Sequence, residues 1–292
     1  MPGSSWRERA DAFQQRHVAL SFPFAVNKRF SEDRGGHYAA LLSYYGFFSL
    51  FPLLLAFVSL LGIVLRGRPG LQHDILDSAL GRFPVLGTEL ANEGALSGNG
   101  WALAFGLGAA IWAGLGVVYA AQDAMDTMWN VPRVERPSFI AKRLRGLALL
   151  AVVGIGTVAG SAVAGIATQL KNLAGVARVA TTLGTVVINI VSLLVGFMLL
   201  TVARHRWRTL PPGAVVGGVA LMLVQVLGSW YLTRVVSGAS DTYGTFNLVI
   251  GLLTWLALQA RIVLYAAEIN VVLALRLWPR SLRPDDPLNK AV

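Results

Sequence analysis

The sequence contains no cysteine and few charged residues. Without cysteine, disulfide bonds and thiolate metal sites are excluded. Asp, Glu, Lys and Arg make up 14% of the 292 residues, whereas soluble domains usually contain about 25%. Hydrophobic residues make up 55% of the chain, and a soluble fold of this length could not bury so much apolar surface. The composition therefore predicts an integral membrane protein.

Recognisable catalytic motifs are missing as well. The four histidines, at positions 17, 37, 73 and 205, do not have the spacing of metal ligands, and there is no GxxxxGK[ST] phosphate-binding loop. Asp123 and Asp126 could form a local acidic site, although such residues more often belong to a solvated helix end. We therefore expect no enzyme activity, no metal and no cofactor.

The amino-terminal arm, residues 1–34, lacks the apolar stretch and cleavage site of a signal peptide. Within it, Ala10, Phe13, His17 and Leu20 recur at helical spacing among arginines. This pattern fits an amphipathic helix in the inner membrane interface or an ordinary cytoplasmic helix equally well.

Six long apolar segments follow the arm, and each has about the 20 residues that a membrane-spanning helix needs. They are Tyr38–Leu65, Trp101–Gln122, Gly146–Leu170, Val179–Ala203, Gly213–Thr233 and approximately Thr245–Leu275. The first five contain no charged residue, and the sixth contains Arg261 and Glu268. We predict an all-α, polytopic membrane protein with six transmembrane helices.

The distribution of basic residues predicts the orientation of these helices. Of the 25 Lys and Arg residues, 18 lie in the arm, the second and fourth connections and the tail, and six lie in the alternate loops. Because cytoplasmic segments carry the excess of Lys and Arg, we expect both termini in the cytoplasm. The predicted domains are the arm, a membrane domain over residues 35–277 and a disordered, proline-rich cytoplasmic tail over residues 278–292.

The formal charge of +10 could suggest nucleic acid, but the basic residues are scattered in short clusters beside apolar runs. That placement favours anionic lipid headgroups as partners. A homo-oligomer is also compatible with the sequence.

Polar residues recur at helical spacing within several spans. In the sixth span they form a stripe with Asn247, Thr254, Arg261, Tyr265 and Glu268, and other spans contribute Asn189, Gln225, Tyr45 and Ser49. Such stripes either pack helices together or line a shared water-filled cavity. Packing is the interpretation we favour for Thr157, Ser161, Thr185 and Ser192, and Gly156 and Gly160 form a GxxxG pair of the kind found where helices pack closely.

Arg261 and Glu268 are the candidates of greatest interest, because an ionised side chain within a span costs about 2.5 to 3.5 kcal/mol. We expect Arg261 to face the bundle interior, whereas Glu268 could line a pathway or sit at the inner interface. Seven residues of helix separate them by about 10.5 Å, so each needs its own partner. Pro52 should kink the first span by removing a backbone donor.

The chain resembles the BrkB/YihY family of bacterial inner-membrane proteins, also described as envelope-integrity proteins and once labelled ribonuclease BN. The residues that carry the resemblance are Ala39–Tyr45, Phe48–Leu53, Pro212-Gly213, Tyr231, Tyr243-Gly244, Trp255 and Ala267–Asn270. Ala267 stands where the family commonly has glycine. The resemblance covers approximately Asp33 to Asn270 and implies a six-helix membrane fold without a settled activity.

Three functional hypotheses follow. The leading one is a transporter or flippase-like protein for a lipid or amphipathic envelope component, in which Arg261 attracts an anionic headgroup and Glu268 balances or gates it. The second is a non-transporting envelope-integrity scaffold. A ribonuclease is disfavoured, because no metal-ligand cluster is apparent.

Overall fold

The computed structural model describes residues 13, 16–64, 100–169, 174–201, 207–235 and 244–281. Over these residues the chain is helical and contains no strand, which confirms the all-α prediction for this part of the protein. The α-helices are α1 (Val18–Glu32), α2 (Gly35–Val64), α3 (Gly100–Met128), α4 (Phe139–Gln169), α5 (Ala174–Leu200), α6 (Pro211–Val235) and α7 (Gly244–Leu275). Two short 3-10 helices, Arg133–Glu135 and Trp207–Thr209, precede α4 and α6.

Four stretches are long and apolar enough to cross a membrane: Ala104–Met128, Val179–Leu200, Pro211–Gly228 and Val249–Leu275. Only 11% to 28% of the residues in their apolar windows are buried inside the chain. Phe105 and Trp112, for example, are 72% and 77% exposed. So much outward apolar surface requires hydrocarbon as the solvent. The six-span count goes beyond these four and stays a prediction.

Three of the helices end at a residue with a left-handed backbone: Arg34, Asn130 and Arg276 have φ angles of 56°, 50° and 53°. At the end of α3 the Val131 amide donates to the Asp126 carbonyl over 2.8 Å, and at the end of α7 the Leu277 amide donates to the Val272 carbonyl over 3.0 Å. These bonds satisfy carbonyl groups that the last helical turn leaves free. They turn the chain sharply at both places.

Small residues let α6 approach its neighbours closely. A Cβ atom added at Gly213 would lie 2.0 Å from the carbonyl oxygen of Ala266 in α7, and one at Gly218 would lie 2.9 Å from the backbone nitrogen of Ile190 in α5. Gly156 of α4 similarly faces the Ser192 hydroxyl of α5. Packing is therefore the role of Ser192, as the spacing predicted.

The chain divides into two compact units. The first comprises Met1–Ala40, Ala120–Trp230 and Leu258–Val292, and the second comprises Leu41–Tyr119 and Tyr231–Ala257. In the second unit, α2 runs as a helix through Pro52 to Val64, so the kink at Pro52 stays a prediction. Also in that unit, Tyr45 lies against Gly116 of α3.

Both ends of the described chain pack against the rest of the first unit. The arm helix α1 begins at Val18 and buries Ser21, Ala25 and Val26 on one face, while residues 1–12 lie outside the described part of the chain. The predicted disorder of the tail is wrong for residues 278–281, because Arg280 and Ser281 are only 1% and 0% exposed. The remainder of the tail, 282–292, lies outside the description.

Candidate functional site

A group of charged side chains is buried where α1, the carboxyl-terminal end of α7 and the first tail residues meet in the first unit. We call Arg29, Glu32, Asp33, Glu268 and Arg280 the charged cluster. Four of its five members are buried, and Glu32 at its edge is exposed. Buried charges in proteins are normally paired, so each member of the cluster needs an explanation from its neighbours.

Arg29 links α1 to the end of α3. Its Nε atom lies 2.8 Å from the Asp33 carboxylate one turn later in the chain, and its Nη2 atom donates to the Met128 carbonyl over 3.4 Å. Met128 is the last residue of α3, whose terminal carbonyl groups have no partner within the helix. Arg29 therefore neutralises a buried acid and caps a neighbouring helix with one side chain.

Two contacts fasten the start of the tail to α1. The Arg280 guanidinium forms an ion pair with the Glu32 carboxylate, and the Lys28 ammonium donates to the Ser281 carbonyl over 2.6 Å. Arg280 is almost fully buried, although proline and charge in this segment predicted a disordered tail. Its burial against α1 explains why residues 278–281 are ordered.

Glu268 is the most enclosed acidic residue of the cluster, with no exposed surface. Whether Glu268 lies on a pathway or at the inner interface stays a prediction. Asp33, Arg29 and Arg280 act on it electrostatically, and its carboxyl group lies within hydrogen-bond range of that of Asp33. Within the described chain, no N–H or O–H donor bonds to either of its carboxylate oxygens. As expected, the partners of Glu268 come from other segments and not from Arg261.

Burial raises the pKa of Asp33 above its ordinary value of 3.8, because the low-dielectric surroundings disfavour the charged carboxylate. The Arg29 guanidinium opposes this shift, and the neighbouring Glu32 carboxylate reinforces it. Desolvation is the larger effect. The folded protein therefore holds a proton on this carboxyl group more readily than the unfolded chain does.

Aromatic and amide contacts surround the cluster. The ring of Tyr265 stacks on Phe30 with centroids 3.9 Å apart, and its hydroxyl donates to the Asn27 side chain over 2.8 Å. Phe22 meets Trp278 edge to face at 5.6 Å. Tyr265 therefore packs α7 against the arm helix, and its predicted place in a cavity with Arg261 stays a prediction.

Asn270 holds α6 at the same end of α7. Its side-chain oxygen accepts a hydrogen bond from the Gly213 amide over 2.7 Å, in a contact that is fully buried. The Gly213 amide belongs to the first turn of α6, where amide groups have no helical partner. This contact joins two segments that also carry the family resemblance, Pro212-Gly213 and Ala267–Asn270.

Asp123 and Asp126 lie in a second set of ion pairs and do not form a free acidic site. Asp123 lies 2.8 Å from Arg136 and accepts a hydrogen bond from the Tyr38 hydroxyl over 3.2 Å. Asp126 is 1% exposed and lies 3.5 Å from the Lys142 ammonium. The interpretation of Asp126 as a solvated helix end is therefore wrong, since residues of the next connection and α4 cover it.

Arg261 differs from Glu268 in almost every respect. It is exposed, together with Thr254 and Leu258 on the same side of α7. It forms no hydrogen bond or ion pair with any part of the chain that the structure describes. The expectation that Arg261 faces the interior of the bundle is not met in this chain, and its role in a pathway stays a prediction.

The remaining predicted site residues do not gather around Arg261. The amide groups of Asn189 and Gln225 approach within 3.5 Å of each other, and the Ser49 hydroxyl donates to the Gly46 carbonyl of its own helix over 2.7 Å. Tyr45, Ser49, Asn247 and Thr254 belong to the second unit, and the side chain of Asn247 lies outside the description. A cavity shared by these stripes therefore stays a prediction.

Sequence reasoning missed Arg29, Asp33 and Arg280. The first two were detectable as an oppositely charged pair four residues apart on a helix. No sequence signal marked Arg280, because its burial depends on contacts with α1. Among the described residues there is no group of three or more His, Asp and Glu side chains that could hold a metal ion.

Comparison with known proteins gives a consistent family assignment. The family model described as virulence factor BrkB matches residues 26–287. The inner membrane protein YhjD of Escherichia coli is 24% identical over 274 residues, which cover 87% of this chain and 81% of that protein. The putative ribonuclease-like protein YfkH of Bacillus subtilis is 25% identical over 289 residues, which cover 91% of this chain and 98% of that protein. No solved structure matches the chain.

Proposed function

This chain belongs to the BrkB family and is a multi-pass protein of the bacterial inner membrane, and from that premise we propose that it moves a lipid or another amphipathic envelope component across this membrane. The observation that carries the proposal is Arg261, an exposed cation near the middle of a membrane-spanning helix. The proposed substrate is a molecule with an apolar body and an anionic headgroup. We further propose that the protein is not an enzyme and that anionic lipids are its partners.

The position of Arg261 supports an anionic substrate. It lies 12 residues after Val249 and 14 before Leu275, which places it about 18 Å and 21 Å from the two ends of the span. At that depth hydrocarbon opposes the passage of a charged headgroup by several kcal/mol. A guanidinium exposed there would neutralise a phosphate at its point of highest energy.

The face that carries Arg261 supports access from the lipid. Thr254, Leu258 and Arg261 are exposed at steps of four and three residues on α7, so they share one side of the helix. An apolar tail could remain in the bilayer beside Leu258 while the headgroup contacts Arg261. This arrangement suits a lipid better than a small polar solute, which would need an enclosed aqueous path.

We also propose six transmembrane helices with both termini in the cytoplasm. Residues 18–33 of the arm and residues 278–281 of the tail contact each other through Lys28 and Ser281 and through Phe22 and Trp278. This contact between the arm and the tail supports an even number of crossings, with both ends of the chain on one side of the membrane. The excess of Lys and Arg in the arm and tail supports the cytoplasmic side.

The test is lipid movement in liposomes that contain the purified full-length protein and a fluorescent phosphatidylglycerol. Wild type should accelerate the exchange of this lipid between leaflets. Arg261→Leu should lower the protein-dependent rate roughly tenfold to a hundredfold, as expected for the loss of about 1.4 to 2.8 kcal/mol of charge neutralisation. Arg261→Lys should retain most of the rate. Arg276→Leu, which removes an exposed arginine just after the end of α7, is the matched control and should change the rate little.

A second candidate function is an envelope-integrity scaffold that does not transport. It is favoured by the polar side chains that serve helix packing, among them Ser192 beside Gly156 and the Asn189 and Gln225 pair. A scaffold predicts equal lipid exchange with and without protein. It also predicts that Arg261→Leu inserts at least as well as wild type, since an unpaired charge leaves the span. These two results together would contradict the transport proposal.

A further inference from the structure

We propose that Asp33 and Glu268 share a single proton, and that this carboxyl pair is the site through which proton binding drives the transport proposed above. The ligand is a proton, and the site is the centre of the charged cluster. This inference rests on the proposed function for its coupling part only. The sharing of a proton can be tested without any transport.

The first argument is the burial of the two carboxyl groups. Glu268 has no exposed surface and Asp33 is 8% exposed, so neither side chain is solvated as an exposed carboxylate would be. No donor in the described residues reaches either oxygen of Glu268. An ionised carboxylate in such surroundings loses hydration without replacement, whereas a protonated one does not.

The second argument is their mutual position. The two carboxyl groups lie within hydrogen-bond range of each other. Two ionised carboxylates cannot bond in this way, because both are acceptors and their charges repel. With one proton between them, one oxygen donates, the other accepts and the repulsion disappears. Two buried carboxyl groups that act on each other in this way are therefore more stable with one proton between them than with none.

The third argument is the charge balance of the cluster. The charged groups that face the pair are Arg29 and Glu32 on α1 and Arg280 in the tail. The end of α3 contributes only the neutral Met128 carbonyl, which Arg29 caps. The Arg29 and Arg280 guanidinium groups balance the two carboxylates of the pair when all four are ionised, and the exposed Glu32 carboxylate adds a further negative charge at the edge of the cluster. That additional negative charge favours a proton on the pair.

The same surroundings disfavour a metal cation as the ligand. Hard cations such as Ca²⁺ or Mg²⁺ need about six oxygen ligands. Here the pair faces two guanidinium groups, which would repel a cation and already occupy part of the carboxylate surface. A proton needs no additional ligand. Sodium dependence is therefore a result that would overturn the proposal.

The location of the pair explains how a proton could act on the rest of the protein. Glu268 lies on α7, seven residues after the exposed Arg261, whereas Asp33 lies at the end of the arm helix α1. Loss of the shared proton would set two like charges against each other across the contact between α1 and α7. The arm would then separate from α7 or draw in water. Proton binding thus favours the closed contact seen here.

Proton sharing is tested by infrared difference spectroscopy on the full-length protein in lipid nanodiscs, titrated between about pH 5 and pH 9. We expect an absorption band of a protonated carboxyl group at neutral pH that is lost in Glu268→Gln and shifted or lost in Asp33→Asn. Glu135→Gln, which changes an exposed glutamate on a 3-10 helix, should leave the band unchanged. A band that persists in both cluster variants, or that is absent from wild type, would overturn the proposal.

Coupling between proton binding and transport is tested with the same variants, in liposomes with an imposed pH gradient and fluorescent phosphatidylglycerol. Wild type should respond to the gradient with a change in rate of several fold, and Glu268→Gln should lose that response. A response that survives in Glu268→Gln, or that follows a sodium gradient and not the pH gradient, would overturn the coupling. If Glu268→Gln does not fold, the Asp33→Asn variant and the wild-type titration test the same carboxyl pair in its place.

The two proposals fail in distinguishable ways. A shared carboxyl proton without lipid movement would retain the proton site and remove the transporter. Lipid movement that ignores the pH gradient, with no carboxyl band, would retain the transporter and remove the proton site.

Discussion

Arg261 and Glu268 lie on the same helix, seven residues apart and therefore on nearly the same side, yet their environments are opposite. Arg261 is exposed and forms no ion pair with the described part of the chain, whereas Glu268 is fully buried and faces Asp33, Arg29 and Arg280. About 10.5 Å of helix separates them. A polar stripe on a helix is thus not a single environment.

The difference arises because other segments cover the carboxyl-terminal end of α7 but not the part around Arg261. At its carboxyl-terminal end, the arm helix and the first turn of α6 contact α7 through Tyr265 and Asn270. Arg280 of the tail pairs with Glu32 of the arm helix and acts electrostatically on Glu268. Around Arg261 the face of the helix carries exposed side chains. The buried end can hold charges because other segments supply opposite charges. The exposed middle can meet only lipid, substrate or another molecule.

The largest expected effect at the buried end concerns Gly213. An alanine there would place its Cβ atom 2.0 Å from the Ala266 carbonyl and 2.6 Å from the Asn270 side chain, so α6 and α7 must move apart. We expect Gly213→Ala to lower the free energy of unfolding by about 3 kcal/mol or more, measured by thermal unfolding in detergent.

The matched control for Gly213 is Gly251→Ala on α7 itself, where a Cβ atom would meet nothing within 4 Å. This change should leave stability unchanged or raise it by up to about 1 kcal/mol, because alanine favours helix. Equal losses in both variants would show that the two regions of α7 are not packed differently.

An intermediate effect is expected from the tail. Arg280→Met removes the ion pair with Glu32 and a positive neighbour of Glu268. Because Glu32 is partly exposed, we expect a loss of about 2 kcal/mol, less than for a fully buried pair. Limited proteolysis of the tail should become faster in parallel with the fall in melting temperature.

Arg276→Met provides the comparison for Arg280, since Arg276 is an exposed arginine four residues earlier. It should change stability little. If Arg276→Met costs as much as Arg280→Met, the tail contact contributes nothing specific and the order of residues 278–281 has another cause.

The smallest expected effect is on the pH dependence of stability. Burial raises the pKa of Asp33 above 3.8, so above that pH the folded state holds more protons than the unfolded chain. The free energy of unfolding should therefore fall as the pH rises from 3.8 towards the raised pKa. Arg29 opposes the shift, which keeps the effect small. Asp33→Asn should flatten this part of the stability profile.

The exposed Glu135 again serves as the control for Asp33, and Glu135→Gln should keep the wild-type slope. A wild-type stability that rises with pH over this range would contradict a proton held more tightly in the folded state. It would indicate that the carboxyl groups of Asp33 and Glu268 are both ionised.

Much of the architecture was readable before the structure. The described helices lie over all six predicted segments, and Val249–Leu275 nearly coincides with the predicted sixth span. The physical reason is that hydrocarbon forces each apolar segment to satisfy its backbone within a helix. The resemblance to the BrkB family was likewise confirmed.

The candidate site was predicted less well, and the errors have a common cause. Glu268 was selected correctly as an unusual residue, but its burial was left open. Arg261 was expected to face inward, and Tyr265 was grouped with it. Periodicity along one helix gives the direction of a side chain but not the segment that lies opposite. The arm and the tail were treated as peripheral, although they cover the end of α7.

The sequence by itself determined that the protein is helical, lies in a membrane and carries two charges within its last span, because local hydrophobicity and backbone hydrogen bonding fix these properties. Only the tertiary structure decided that Glu268 is enclosed with Asp33 and Arg280 while Arg261 is exposed. Those contacts join residues as far apart as Glu32 and Arg280. Burial of a charge depends on which distant segments come together, and no local pattern encodes that choice.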